Sequence, residues 1–341
     1  MISVTRSVLL AAALVSTSAI IGPAGAQVAG VPATSQACQR ACLEDKVNRY
    51  LEAMAEGGFD EELFARDVRF TENGVELPLG DEGLWATASG VGNYKFYVPD
   101  VETQQVALLG TVLEVASSSA TGAAREPELV GLSLRLRIGA DGKINEVEQI
   151  AARPERPLGP GATVGTSAFP ATGAAVEAMG SPHPSFLDAV PEGQRHTREE
   201  LVAVANAYFD AVERNTGEDY YPFTEDCLRY ENGVITAAPP GQGPEGRLGC
   251  SAQLEQSLIG AITGVRDRRF VAVDRERGIV FAFAFFDHRP INWSWQLGEL
   301  FRIENGQIRR IEAIFIRGPY GMCSGWSTYE QCRSERIQDI R

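Results

Sequence analysis

Histidine is scarce in this chain, occurring only as His183, His196 and His288. Only His288 closes a strongly apolar run, "IVFAFAFFDH" at 279–288. Strand side chains alternate between faces, so Val280, Ala282, Ala284, Phe286 and His288 share one face, and Phe281, Phe283, Phe285 and Asp287 share the other. Imidazole exchanges protons near neutral pH, and the small residues on its face leave room for a ligand. Asp287 points away and cannot orient His288 as a triad acid would. Tyr208, on a helix-like stretch, could donate to an oxyanion. Glu231, ahead of a turn, could act as a general base in apolar surroundings. The candidate catalytic set is therefore His288, Tyr208 and Glu231. Trp293 and Trp295 alternate in "NWSWQLGEL" and face the same way as Leu297 and Glu299. With Phe286 they form a candidate ligand-binding surface for a flat aromatic, terpenoid or sugar molecule. The competing roles are structural: a packed tyrosine, a turn carboxylate bonding backbone amides, and tryptophans burying an interface.

Stepping outward along the chain, these residues have counterparts in its first half. "VRFTENGVEL" (68–77) and "LRYENGVITA" (228–237) each place Glu-Asn-Gly between strand-forming residues, the pattern of a type I′ hairpin. Upstream, "RACLEDKVNRYLEAMA" and "REELVAVANAYFDAVE" are both amphipathic at helical spacing, which pairs Tyr50 with Tyr208. Thr197 and Glu200 make a capping box for the second helix. Downstream, helix candidates in "DEGLWATASG" and "LGCSAQLEQSLIGAI" precede long strands, with Glu114 aligned to His288. The last strands pair Glu148 with Glu312, expected to bind nearby arginines such as Arg137 and Arg302. Matching segments in the same order imply a duplicated unit: a first repeat at 38–153, a linker at 154–195, a second repeat at 196–318 and an appendage at 319–341. A short helix is also expected at "EELFA" (61–65).

The chain of 341 residues carries a formal charge of −14, with only three lysines, Lys46, Lys95 and Lys143. It lacks the basic, aromatic-interleaved surface that nucleic acid requires. Residues 1–26 read as a signal peptide: Arg6, an apolar stretch, then Ala-Gly-Ala. An exported protein, periplasmic or extracellular, is expected, with no membrane association after cleavage. The six cysteines then read as disulfides: Cys323–Cys332 across a short Gly/Ser loop, and either Cys38–Cys42 or a clasp between the termini. There is no phosphate loop, no Gly-x-Ser-x-Gly elbow and no metal-spaced cluster, so no cofactor and no metal are expected.

A helix, a hairpin strand and several long antiparallel strands, written twice, give an α+β chain. This element order resembles the nuclear transport factor 2-like (SnoaL-like) superfamily across both repeats. "RFTENGVELPLG", "FFDH" and the C-terminal "PYGM" and "SGW" further resemble a secreted tandem family of unknown function. The resemblance implies two tandem cone-shaped repeats, each a curved antiparallel sheet wrapped around helices; in that fold Cys227, ahead of the hairpin, and Cys250, at the start of the next helix, lie close, which implies a Cys227–Cys250 disulfide. It also implies a cofactor-independent lyase, dehydratase or isomerase acting on a small, mostly apolar molecule, or a non-catalytic binding or scaffold protein. The expected partner is a small-molecule ligand; a homodimer is compatible with the sequence.

Overall fold

The computed structural model describes residues 37–115, 126–155, 169–218, 220–256, 260, 262–329 and 332–340. The signal-peptide reading lies outside these residues, as does linker segment 156–168.

Two long helices arise from their apolar stripes. In α1 (Arg40–Glu56), Leu43, Val47, Tyr50, Leu51 and Met54 are buried, and the left-handed Gly57 ends the helix. In α4 (Arg198–Arg214), the Thr197–Glu200 capping box starts the helix, Leu201, Ala205, Tyr208, Phe209 and Val212 are buried, and left-handed Asn215 ends it. The strands are β1 (Phe64–Glu72), β2 (Val75–Glu76), β3 (Ala88–Asp100), β4 (Gln105–Glu114), β5 (Glu128–Ile138) and β6 (Ile144–Ala152) in the first half. The second half has β7 (Phe223–Glu231), β8 (Val234–Ala237), β9 (Gly264–Asp274), β10 (Ile279–His288), β11 (Trp293–Glu304), β12 (Gln307–Pro319) and β13 (Gln338–Asp339). The protein is mixed α+β, with two large, mostly antiparallel sheets. Their orders are β2-β1-β6-β5-β4-β3 and β8-β7-β12-β11-β10-β9-β13, identical apart from β13.

Glu-Asn-Gly recurs for two reasons. Asn73 and Asn232 both take positive φ, with Gly74 and Gly233 following, as a type I′ turn requires. Each asparagine also extends its sheet. Asn73 Oδ1 accepts from the Ala151 amide at 2.8 Å. Asn232 Oδ1 accepts from the Phe315 amide at 2.8 Å, and its Nδ2 donates to the Phe315 carbonyl at 3.1 Å. These bonds fix the parallel pairs β1–β6 and β7–β12.

The short helices differ from expectation. Residues 61–63 form a turn, and β1 begins at Phe64, which pairs with Ile144. Five residues are too few for helical periodicity to compete with sheet pairing. "DEGLWATASG" holds only a single 3₁₀ turn, Gly83–Ala86, and α5 spans Cys250–Glu255. Part of the linker is also ordered. α2 (Thr172–Ala178) and α3 (Pro184–Leu187) bury Val176 and Phe186. Phe96 and Phe186 meet edge to face at 4.7 Å.

The core has three layers of contact. α1 packs on one face of the first sheet and α4 on one face of the second. The remaining faces pack on each other through Phe96, Val98, Leu109, Ile150, Phe281, Phe283, Leu300 and Ile314. The order is helix, sheet, sheet, helix, as the two-sided apolarity of 279–286 demands. Across this interface each half's last long strand reaches the other half. Glu148 takes a two-pronged ion pair from Arg269, at 2.6 and 2.7 Å. Tyr94 donates to Glu312 at 2.5 Å. The expected partners Arg137 and Arg302 instead bind Glu146 and Glu304. The reason is facial: Glu148 and Glu312 point between the sheets.

Burial pushes the Glu312 carboxyl up to about 8 from 4.5. The folded state therefore keeps a proton that the unfolded chain releases at about pH 4.5. Stability contributed by this group is complete at low pH and falls as pH rises from about 4.5 to 8, by up to about 1.4 kcal/mol per pH unit. Urea unfolding across this range is expected to show the decline, and Glu312→Gln to remove its share. An unchanged slope in the variant would refute the assignment.

Cys227–Cys250 and Cys323–Cys332 close as expected, and of the two alternatives for the first pair of cysteines the structure has Cys38–Cys42. Cys38 precedes the first helical residue, Arg40, which relieves the difficulty of an i,i+4 bridge inside a helix. The bonds fit an extracellular or periplasmic protein. Among the described residues, no helix is long and apolar enough to cross a membrane. The appendage crosses to the first half. The Trp326 ring lies 4.1 Å from the Arg69 guanidinium and 4.7 Å from that of Arg135, and its Nε1 donates to Thr71 at 2.7 Å.

Candidate functional site

The helix-facing side of the second sheet carries charge where the first carries hydrocarbon. Phe70 pairs with Val147, as Arg229 pairs with Ile311. Leu134 lies between Leu108 and Gln149, as Glu299 lies between Ala282 and Ala313. Thus Arg229 and Glu299 replace Phe70 and Leu134, and two alanines replace the larger neighbours. All four of these replaced or replacing side chains are buried.

Arg229 organises the cluster. Its Nη1 lies 3.4 Å from the Tyr208 hydroxyl, its Nε is 3.0 Å from Thr236 Oγ1, and Nη2 donates to Gln253. Glu231 lies two residues on, on the same face, with Oε1 3.6 Å from Arg229 Nε. Glu231 and Glu299 flank Ala313 on neighbouring strands, so their Cα atoms are about 10 Å apart at the usual strand spacing. Tyr208 lies near enough to Glu299 to favour its ionised form. Burial raises the Glu299 carboxyl well above the usual carboxylate range; Glu231 adds to this, and Arg229 opposes it. Burial likewise raises the Tyr208 phenol. Glu299 Oε2 has no hydrogen-bond partner among the described residues. A buried carboxyl whose protonated form is favoured and which has a free oxygen, a phenol, a guanidinium and a second carboxyl can donate and accept protons within one small volume.

The corresponding interior of the first half is closed. Tyr50 donates to Gln149 at 2.7 Å and accepts from Trp85 at 3.1 Å. Glu72 accepts from the Leu84 amide at 2.7 Å, from Gln149 at 2.9 Å and from Arg153 at 2.8 Å. Glu114 takes Arg153 at 2.9 Å and Thr87 at 2.7 Å. Glu72 is thus the turn carboxylate bonding amides that its position suggested.

The expected trio of His288, Tyr208 and Glu231 does not assemble. Tyr208 and Glu231 meet through Arg229. His288 lies six residues along β10 from Ala282, the partner of Glu299, about 20 Å at the strand rise. His288 is buried against Trp295, with ring centroids 4.5 Å apart. Neither ring nitrogen has a partner among the described residues. Burial lowers its pKa below the usual histidine value, against the raising effect of Asp287. Asp287 faces away as expected, bound to Arg266 at 2.9 Å.

Trp293 and Trp295 do not lie between the sheets. Trp295 stacks on Phe315 at 5.0 Å, and Trp293 is 37% exposed beneath Arg317 at 4.0 Å. Phe286 is a core residue against Phe209, at 5.8 Å. Among the described residues, no group of three or more metal-ligating side chains occurs.

Comparison with known proteins adds a family and a structure. Residues 194–315, the second half of this duplication, match the model of a domain of unknown function (DUF8021). No curated protein matches the chain. Among solved structures, a crystal structure of a de novo designed protein with a curved β-sheet is similar, at 16% identity and a TM-score of 0.26. It covers 36% of this chain and 88% of its own.

Proposed function

We propose that the second repeat is a cofactor-independent acid–base enzyme of the lyase, dehydratase or isomerase type, acting on a small, mostly apolar molecule. We also propose that each repeat adopts the cone of the nuclear transport factor 2-like superfamily, with the helix-facing side as its interior. The observation that supports the enzymatic reading is Glu299: a buried carboxyl with a free oxygen, where the first repeat has Leu134. Burying such a group is costly, and the apolar alternative is written in the same chain.

In this reading Glu231 removes a proton from carbon beside a carbonyl, and the electron pair moves onto the carbonyl oxygen. Tyr208 and neutral Glu299 donate hydrogen bonds to that developing oxyanion, and Arg229 lies close enough to lower its energy. Where a carbon–carbon double bond adjoins the deprotonated carbon, return of the proton to the far end of that double bond shifts it into conjugation with the carbonyl and isomerises the substrate. Protonation of a neighbouring hydroxyl by Glu299, with loss of water, dehydrates it. The paired groups of the first repeat support a non-catalytic, scaffolding role for that half.

A substrate can be sought as a molecule carried through purification and identified by mass spectrometry. With it, Glu299→Gln is expected to lower turnover by about 10²–10⁴-fold while the protein stays folded and binds. Tyr208→Phe is expected to cost less, since it removes one hydrogen bond and keeps the ring. Unchanged turnover in Glu299→Gln would end the proposal.

A further inference from the structure

The two halves differ at a second place, the sheet end holding His288. In the first half, Arg153 follows β6, and its Nε lies 2.9 Å from both oxygens of Glu114 on β4. It also binds Glu72 at 2.8 Å. The matching positions in the second half are Arg317, His288 and Glu231. Here the internal acid is missing: His288 stands where Glu114 stood. Glu231 has turned to Arg229. Arg317 therefore has no carboxylate partner among the described residues and lies over the exposed ring of Trp293. His288 is 4% exposed, with both nitrogens unpartnered.

The surroundings have also become aromatic. Val130 in the first half corresponds to Trp295, since Val112 pairs with Val130 as Phe286 pairs with Trp295. Ala151 corresponds to Phe315, because each is the strand residue gripped by the hairpin asparagine. Phe169 completes this wall, 5.2 Å from Phe315.

We infer that this end of the second half binds a carboxylate carried on a flat, ring-bearing molecule. Its carboxylate replaces the side chain of Glu114, taking a charge-assisted bond from Arg317 and a hydrogen bond from His288, and its ring lies on Trp293 and Trp295. Arginine's planar fork suits a carboxylate, and tryptophan faces suit a flat apolar body. This inference goes beyond the acid–base reading and does not depend on it, because a bound carboxylate needs no turnover.

The test is calorimetric titration of the full chain with 2-naphthoate and, separately, 2-naphthamide. The acid is expected to bind at least about tenfold more tightly than the amide, as a charge-assisted bond implies. Arg317→Gln, at an exposed position, should weaken naphthoate by a similar factor and leave the amide unaffected. His288→Glu should do the same by returning to Arg317 an acid of its own. Equal affinity for acid and amide would overturn the inference, as would no binding of naphthoate, or wild-type affinity in Arg317→Gln. If His288→Glu does not fold, Arg317→Gln alone decides. Because binding is read without catalysis, failure here leaves the Glu299 proposal standing, and failure there leaves this one.

Discussion

Replacing Glu148 by alanine is expected to destabilise the protein by about 3–5 kcal/mol. Its carboxylate is buried between the sheets, holds Arg269 by two bonds of 2.6 and 2.7 Å, and lies 3.6 Å from Arg135. Removing one partner of such a pair leaves an uncompensated charge that water cannot reach. Asp267, at 3.3 Å from Arg269, and Glu146, at 2.7 Å from Arg135, remain, but they approach from other sides. Glu148→Met combined with Arg269→Met should recover only part of the loss, because it removes both charges of the pair and keeps apolar volume but leaves buried Asp267 without its arginine. Urea unfolding of the single and double variants measures this. A loss below about 1 kcal/mol in Glu148→Ala would mean that the ion pair does not hold the two sheets together.

The long elements were legible because their information is local. α1 and α4 carry uninterrupted apolar stripes, and Asn73-Gly74 and Asn232-Gly233 can serve few purposes other than tight turns. Strand alternation placed Asp287 and His288 on opposite faces correctly. Cys227–Cys250 followed from the fold that the resemblance implied, not from a local pattern. Tertiary competition decided the rest. Residues 61–65 had too short a pattern to resist pairing of Phe64 with Ile144. Glu148 and Glu312 found partners in the opposite half, which no local pattern encodes.

The site was legible in part. Tyr208 and Glu231 were identifiable as candidates, and Glu299 shared the face of Trp295. The residue that joins them, Arg229, was hidden by a false similarity. "Arg69-Phe70" and "Arg229-Tyr230" look equivalent by eye, but the Asn-Gly turns register Arg229 with Phe70. That one-residue difference turns an outward arginine inward. Aligning on the turns, not on the look-alike pair, is the signal that finds it. His288 was placed on the correct face, but its distance along β10 from Tyr208 depends on where α4 crosses the sheet, which the strand pattern does not state.

We propose that Arg229 and Glu299 are present for chemistry and not for folding. The first half shows what folding alone would place there: Phe70 and Leu134. Writing those residues into the second half, as Arg229→Phe with Glu299→Leu, removes both buried ionisable groups together. Ala282 and Ala313 leave room beside the new side chains, and Glu231, half-buried, keeps access to water. Replacing buried ionisable groups by packed hydrocarbon is often neutral or stabilising by about 1–4 kcal/mol. Sites that hold function give up stability of this kind. The decisive measurement is therefore the unfolding free energy of this double variant against the wild-type chain, at pH 7 in urea. The double variant is expected to be more stable by about 1–4 kcal/mol. A double variant less stable by more than about 1 kcal/mol would contradict it, showing that the cluster is part of what folds the second half.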